Sequence, residues 1–170
     1  MPLTLTEWLR KLQLGSAQRR LEWYPPFRSM RIKVLELEHE GRSTRILLPL
    51  NRRNRNPGGS MFGGCMASLA DPIPALVCAR IFPGYAVWTR ALSLDFRHEA
   101  RGDLELRFQL ELEQEGQIGS DLLEKGRASP RFEYGFYQTD GRLCALIKNT
   151  VAIRSFGENR RGDALRRPGK

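Results

Sequence analysis

The segment Asn56-Pro57-Gly58-Gly59-Ser60-Met61-Phe62-Gly63-Gly64-Cys65-Met66-Ala67-Ser68-Leu69-Ala70-Asp71-Pro72 crowds four glycines into seven residues, then runs uncharged to a single carboxylate. From Met61 to Phe82 the chain is mostly apolar, too long for a strand and suited to a buried helix. Gly63 and Gly64 fall where that helix should begin, with Ser60 as its N-cap. A helix start offers unpaired N–H groups and a partial positive charge, which suit an anion or a developing oxyanion. The plainer alternative is a flexible turn that feeds a core helix.

Asp71 stands seven residues after Gly64, about two turns along the helix, where a lone carboxylate is costly unless it is bonded or used. Pro72 and Pro74 follow. Each lacks an N–H and clashes with the preceding turn, so a kink is expected, with the carbonyls of Ser68 and Ala70 losing their usual partners. Two readings stand side by side. Asp71 ends one helix and caps a second, with Pro72 at its first position. Or the kink aims the carboxylate into a cleft as a base or nucleophile.

Working outward, the period of the apolar residues divides the chain. Residues 3 to 14 place Leu5, Trp8, Leu9 and Leu12 on one helical face, and Pro25-Pro26 then break the chain. Residues 30 to 39 and 43 to 50 read as a hairpin around Gly41, followed by a polar loop, 51 to 60. After the helix, 85 to 97 reads as a long strand. Residues 103 to 113 alternate strictly, with Leu104, Leu106, Phe108, Leu110 and Leu112 on one face. A loop or short helix occupies 116 to 130. Two more strands, 132 to 139 and 143 to 154, flank the hairpin signal Asp140-Gly141. The implied architecture is α+β: a mostly antiparallel sheet wrapped around one long central helix, with an extra helix before it. Such a sheet keeps an open edge, which favours self-association.

Composition limits the function classes. The chain of 170 residues suits one domain: 1–27 as helix and linker, 28–156 as the body, 157–170 as a basic disordered tail. Cys65, Cys78 and Cys144 form no pairing pattern, and His39 and His98 have no metal-ligand spacing, so neither a disulfide framework nor a metal site is expected. No secretion signal and no uncharged run of about 18 apolar residues appear, which points to a cytoplasmic protein without a membrane span. The net charge of +9 is concentrated in Arg52, Arg53 and Arg55 and in the tail. It suits nucleic acid, anionic lipid or a nucleotide-bearing cofactor. The stripe Phe132, Tyr134, Phe136 is read as core and not as a base-stacking surface, which makes nucleic acid the weaker partner.

The string from Asn56 to Asp71 resembles the hotdog-fold thioesterases of the phenylacetyl-CoA thioesterase-like branch. Asn56, Gly59, Gly63, Gly64 and Asp71 match its spacing, and the order of helices and strands is that of a hotdog subunit. Met61-Phe62-Gly63-Gly64, then Ala70-Asp71-Pro72, then Tyr85-Ala86-Val87-Trp88-Thr89, resemble more closely a hotdog family often labelled acyl-CoA thioesterase. The resemblance implies hydrolysis of an acyl thioester with Asp71 activating water or attacking the carbonyl. It further implies an oxyanion held by the N–H of Gly63 or Gly64, with Asn56 and Thr89 assisting. It implies acyl-CoA as substrate, no separate cofactor, and a homodimer with its site at the interface, and leaves open whether dimers pair into a tetramer. Arg52, Arg53 and Arg55 become candidates for the CoA phosphates. One departure is plain: Phe62 stands where the branch has histidine. The rival reading is a hotdog protein that binds acyl-CoA or lipid without turnover.

Overall fold

The computed structural model describes residues 16–156; the helix expected over 3–14 and the basic tail lie outside the described residues. Two short helices come first, α1 (Ala17–Trp23) and α2 (Pro25–Met30). Pro25-Pro26 break the chain as expected, with α1 ending at Trp23, and they also open α2, where the missing N–H groups have no helical partner to lose. Phe27 and Met30 from α2 are buried, so the helix is anchored in the core and the strand expected from residue 30 begins only at Lys33.

Strands β1 (Lys33–Glu38) and β2 (Ser43–Leu48) form the expected hairpin, turned through Gly41 at φ +93°. The central helix follows as two pieces, α3 (Gly63–Ala70) and α4 (Ile73–Ile81). By length and apolarity this pair is capable of crossing a bilayer; here it is the helix about which the sheet wraps. β3 (Tyr85–Phe96) and β4 (Leu104–Gln109) come next. The alternation read through residue 113 stops at Gln109, because Leu112 begins a 14-residue helix, α5 (Leu112–Lys125). Glu113 and Glu115 lie in its first turn, where the helix dipole favours them, while Ile118 and Leu122 supply a buried i, i+4 stripe. Leu112 is 77% exposed, not on the core face that strand alternation would give it. β5 (Arg127–Ala128), β6 (Arg131–Tyr137) and β7 (Leu143–Ser155) complete the chain. The turn at Asp140-Gly141 is as expected, with Gly141 at φ +83° and the Asp140 carboxylate accepting the Arg142 N–H at 2.9 Å.

All pairings are antiparallel, in the order β1-β2-β4-β6-β7-β3, with β5 on the flank of β7. This is the hotdog arrangement. β3 lies at one edge of the described sheet, and its register slips between Thr89 and Ala91. A bulge at that point redirects the strand beside the break between α3 and α4. The core fills the space between the concave sheet and the two helix pieces, with Leu69, Ala70 and Cys78 fully enclosed. Burial pushes the Cys78 thiol up to about 12, so it packs as a small apolar group.

Candidate active site

The glycine turn is fixed by backbone bonds on both sides. The Met61 N–H donates to Ala100 at 2.8 Å and the Phe62 N–H to the Asn54 carbonyl at 2.7 Å. Asn56 closes the loop on itself: its Nδ2 donates to Ser60 Oγ at 2.9 Å and its Oδ1 accepts the Ser60 N–H at 3.1 Å. Ser60, expected as the N-cap, is thus spent within the turn. The N-cap of α3 is Phe62, which has no side-chain cap. Among the described residues neither the Gly63 nor the Gly64 N–H has an acceptor, so both donors expected at the helix start are free.

The two glycines are explained by what lies on them. A Cβ at Gly64 would collide with the Phe62 ring, and one at Gly63 would come within 3.0 Å of Phe96 Cζ. Both rings are more than half exposed. Beside Gly63 and Phe96 a cavity of about 390 Å3 is lined by these two residues, Asn56 and Ser60, together with His98 and Glu99 from just beyond β3. Sequence reasoning passed over Glu99 and set His98 aside for want of metal-ligand spacing. Arg101 first, and Ser60 after it, hold the Glu99 carboxyl below its ordinary range.

Asp71 does not line that cavity. It lies at the other end of α3, on the exposed face shared with Gly64 and Ser68 at i, i+4, i+7 spacing, while Met66, Leu69 and Ala70 face the core. Its backbone is still helical, at φ −46° and ψ −56°, and no side chain caps α4. Asp71 therefore ends α3 as its C-cap, as the first reading expects, but it does not cap α4. Among the described residues its carboxylate has neither a hydrogen bond nor an ion pair.

The carbonyls at the kink are taken by side chains from the sheet. Tyr134 Oη donates to Ala70 O at 2.7 Å, and Thr89 Oγ1 and Asn149 Nδ2 donate to Asp71 O at 2.8 and 3.0 Å. Asn149 Nδ2 also donates to Tyr134 Oη at 3.2 Å. Burial, and after it the Asp71 charge, push the Tyr134 hydroxyl well above its usual range. Thr89 thus meets Asp71 at its carbonyl and not at its carboxylate. Tyr134 and Asn149 were the residues missed. The available signal was the pair of prolines, which promised orphan carbonyls but not their partners.

Of the three loop arginines, Arg55 pairs through its backbone with Met61 and Arg53 lines a separate groove. The profile described as Domain of unknown function (DUF4442) matches residues 17–153. The chain belongs to that family. No curated protein matches it. Among solved structures, this DUF4442 chain is similar to PA5026 of Pseudomonas aeruginosa, described as a protein of unknown function and probable thioesterase. The identity is 22% and the TM-score 0.73, over 91% of this chain and 98% of that one. It is similar also to the thioesterase HI1161 of Haemophilus influenzae, at 17% identity and TM-score 0.59, over 91% and 93%. A third is the E. coli PaaI protein from the phenylacetic acid degradation operon, at 17% and 0.54, over 73% and 80%. At such identities the likeness establishes the fold.

Proposed function

We propose that this DUF4442 protein hydrolyses acyl thioesters, acyl-CoA foremost, with Asp71 as general base or nucleophile. The observation that carries the reading is the Asp71 carboxylate: exposed, without a partner among the described residues, on a backbone held by three side chains. A rigid mount with an unspent carboxylate suits catalysis better than structure. The free N–H groups of Gly63 and Gly64 suit the oxyanion of a tetrahedral intermediate. Water adds to the thioester carbonyl, Asp71 takes its proton, and the C–S bond breaks to give acid and thiol. If Asp71 attacks instead, water cleaves the resulting anhydride to the same products.

Seven residues of helix separate Gly64 from Asp71, about 10 Å along the axis. A carboxylate in contact with a carbonyl needs reacting atoms about 3 Å apart, so direct attack on a carbonyl held at Gly63 or Gly64 calls for the Asp71 of a second copy. The edge that β3 forms in the described sheet, next to Asp71, is the natural seam for such a dimer, and a tetramer is a pair of these. Thr89 acts as a positioning residue through the Asp71 carbonyl, and Asn56 through the shape of the turn. Thioesterase labels on the solved relatives support the reading.

The test is thiol release over a series of acyl-CoA chain lengths, with Asp71→Asn as the control. No cleavage at any length, or full activity in the variant, sinks the assignment. A second reading, acyl-CoA or lipid binding without turnover, is favoured by Phe62, which puts a ring where the branch has an imidazole. Tight acyl-CoA binding with no thiol released would select it.

A further inference from the structure

Away from the turn cavity and the kink, a groove of about 610 Å3 is lined by Trp23, Pro25, Arg28, Ser29, Arg31 and Arg53. Among the described residues it contains three guanidinium groups and no carboxylate. Arg28, Arg31 and Arg53 form no ion pair with any described residue. Trp23 is 68% exposed, among the most exposed large apolar side chains of the described chain.

The groove is held rigidly. Phe27 and Met30 anchor α2 in the core, and Arg31 turns the chain back in the left-handed region at φ 58°, its N–H bonded to Arg28 O at 3.1 Å. The Arg53 wall is tied to α2 through its neighbour Asn54. The buried side chain of Asn54 donates to Met30 O at 2.7 Å and to Pro49 O at 2.9 Å. The same Asn54 accepts the Phe62 N–H through its own carbonyl. One buried asparagine therefore links the groove to the residue before Gly63.

A concave surface with several unpaired guanidinium groups and one exposed indole matches a specific chemistry. Guanidinium forks take phosphate oxygens in pairs, and an indole face stacks on a planar heterocycle. A free phosphate would use the arginines and leave the indole idle. A flat lipid surface fits a concavity poorly. A nucleoside bearing several phosphates uses every part. We infer that this groove holds the nucleotide end of the substrate, the phosphorylated adenosine of CoA. The acyl carrier is then CoA and not a carrier protein. This deepens the thioester reading and rests on it for the identity of the nucleotide's bearer.

The test uses the full chain and has two arms. In the first, adenosine 3′,5′-bisphosphate, adenosine and pyrophosphate are titrated while tryptophan fluorescence is followed, with Trp23→Phe identifying the responding indole. The bisphosphate should bind at least about tenfold more tightly than either fragment, and lose about tenfold in Trp23→Ala and in the double variant Arg28→Ala/Arg31→Ala. In the second, the double variant should raise KM for acyl-CoA about tenfold with kcat within about twofold. It should leave hydrolysis of the matching N-acetylcysteamine thioester, which has no nucleotide, within about twofold.

Equal bisphosphate affinity in the wild type and the variants overturns the inference. So does Trp23-dependent binding to anionic vesicles with none to the bisphosphate. Acyl-CoA cleaved with an unchanged KM in the double variant removes the groove and leaves the thioesterase standing. Bisphosphate bound in the groove with no thioester cleaved does the reverse.

Discussion

At its start, helix α3 is placed by backbone hydrogen bonds and by the side chains that glycine leaves out; at its end it is placed by side chains arriving from three strands. The turn holds itself. Asn56, Ser60, Met61 and Phe62 bond to near neighbours or to one residue beyond β3, and two phenylalanine rings crowd the space a Cβ would take at Gly63 and Gly64. The kink holds nothing by itself. Its carbonyls depend on Thr89, Tyr134 and Asn149. What a local motif builds is therefore a pair of donors, and what the tertiary fold builds is the mount for a carboxylate.

The largest effect should come from Asp71→Asn. Losing the base or nucleophile should lower kcat by about 100-fold or more, while the melting temperature stays put because the carboxylate bonds nothing in the described chain. A variant that melts early would mean Asp71 is structural, and the contrast between the two ends would collapse. Next comes Tyr134→Phe. It strands the Ala70 carbonyl and removes an acceptor from Asn149, for a cost of about 2 kcal/mol in chemical denaturation. Activity should fall with it, since the carboxylate rides on that backbone.

A pH effect follows at the same place. The Tyr134 hydroxyl is raised in the fold, so its contribution is complete below the unfolded value near 10 and is lost as pH rises toward the folded value. Up to pH 11 this should cost about 1 kcal/mol relative to pH 9, a loss that is absent from the phenylalanine variant. The smallest effect belongs to the turn. Asn56→Ala removes two local bonds in a part-buried loop and should cost about 0.5–1 kcal/mol, leaving the kink and its alkaline profile unchanged.

The same division sets what was legible in the sequence. The glycine turn, the kink at Asp71-Pro72 and the hairpin at Asp140-Gly141 each follow from residues within a few positions of one another, and each stands where the sequence places it. Pro25-Pro26 was ambiguous by nature, because proline both ends extended chain and opens helices. The alternation through Leu112 ran into a helix whose own stripe, Ile118 and Leu122, begins only later. Tyr134 and Asn149 carry no local mark at all. They meet the kink across 64 and 78 residues, a separation that no window of sequence spans. The groove failed to appear for the same reason. Arg53 was visible in a basic run, but its companions Trp23, Arg28 and Arg31 come from another part of the chain.

The bonds at the kink also set an order of events for a chain made from its N-terminus. Pro74 leaves the Ala70 carbonyl without its helical donor, and at the kink the carbonyls of Ala70 and Asp71 are both taken by side chains from β3, β6 and β7. Until Asn149 has left the ribosome, the middle of the central helix lacks its partners, and an apolar segment of 19 residues, Gly63–Ile81, has no complete sheet to enclose it. The mount for the Asp71 carboxylate is thus among the last parts of the molecule to be finished, and a chain shortened before β7 is left with the motif but not the geometry.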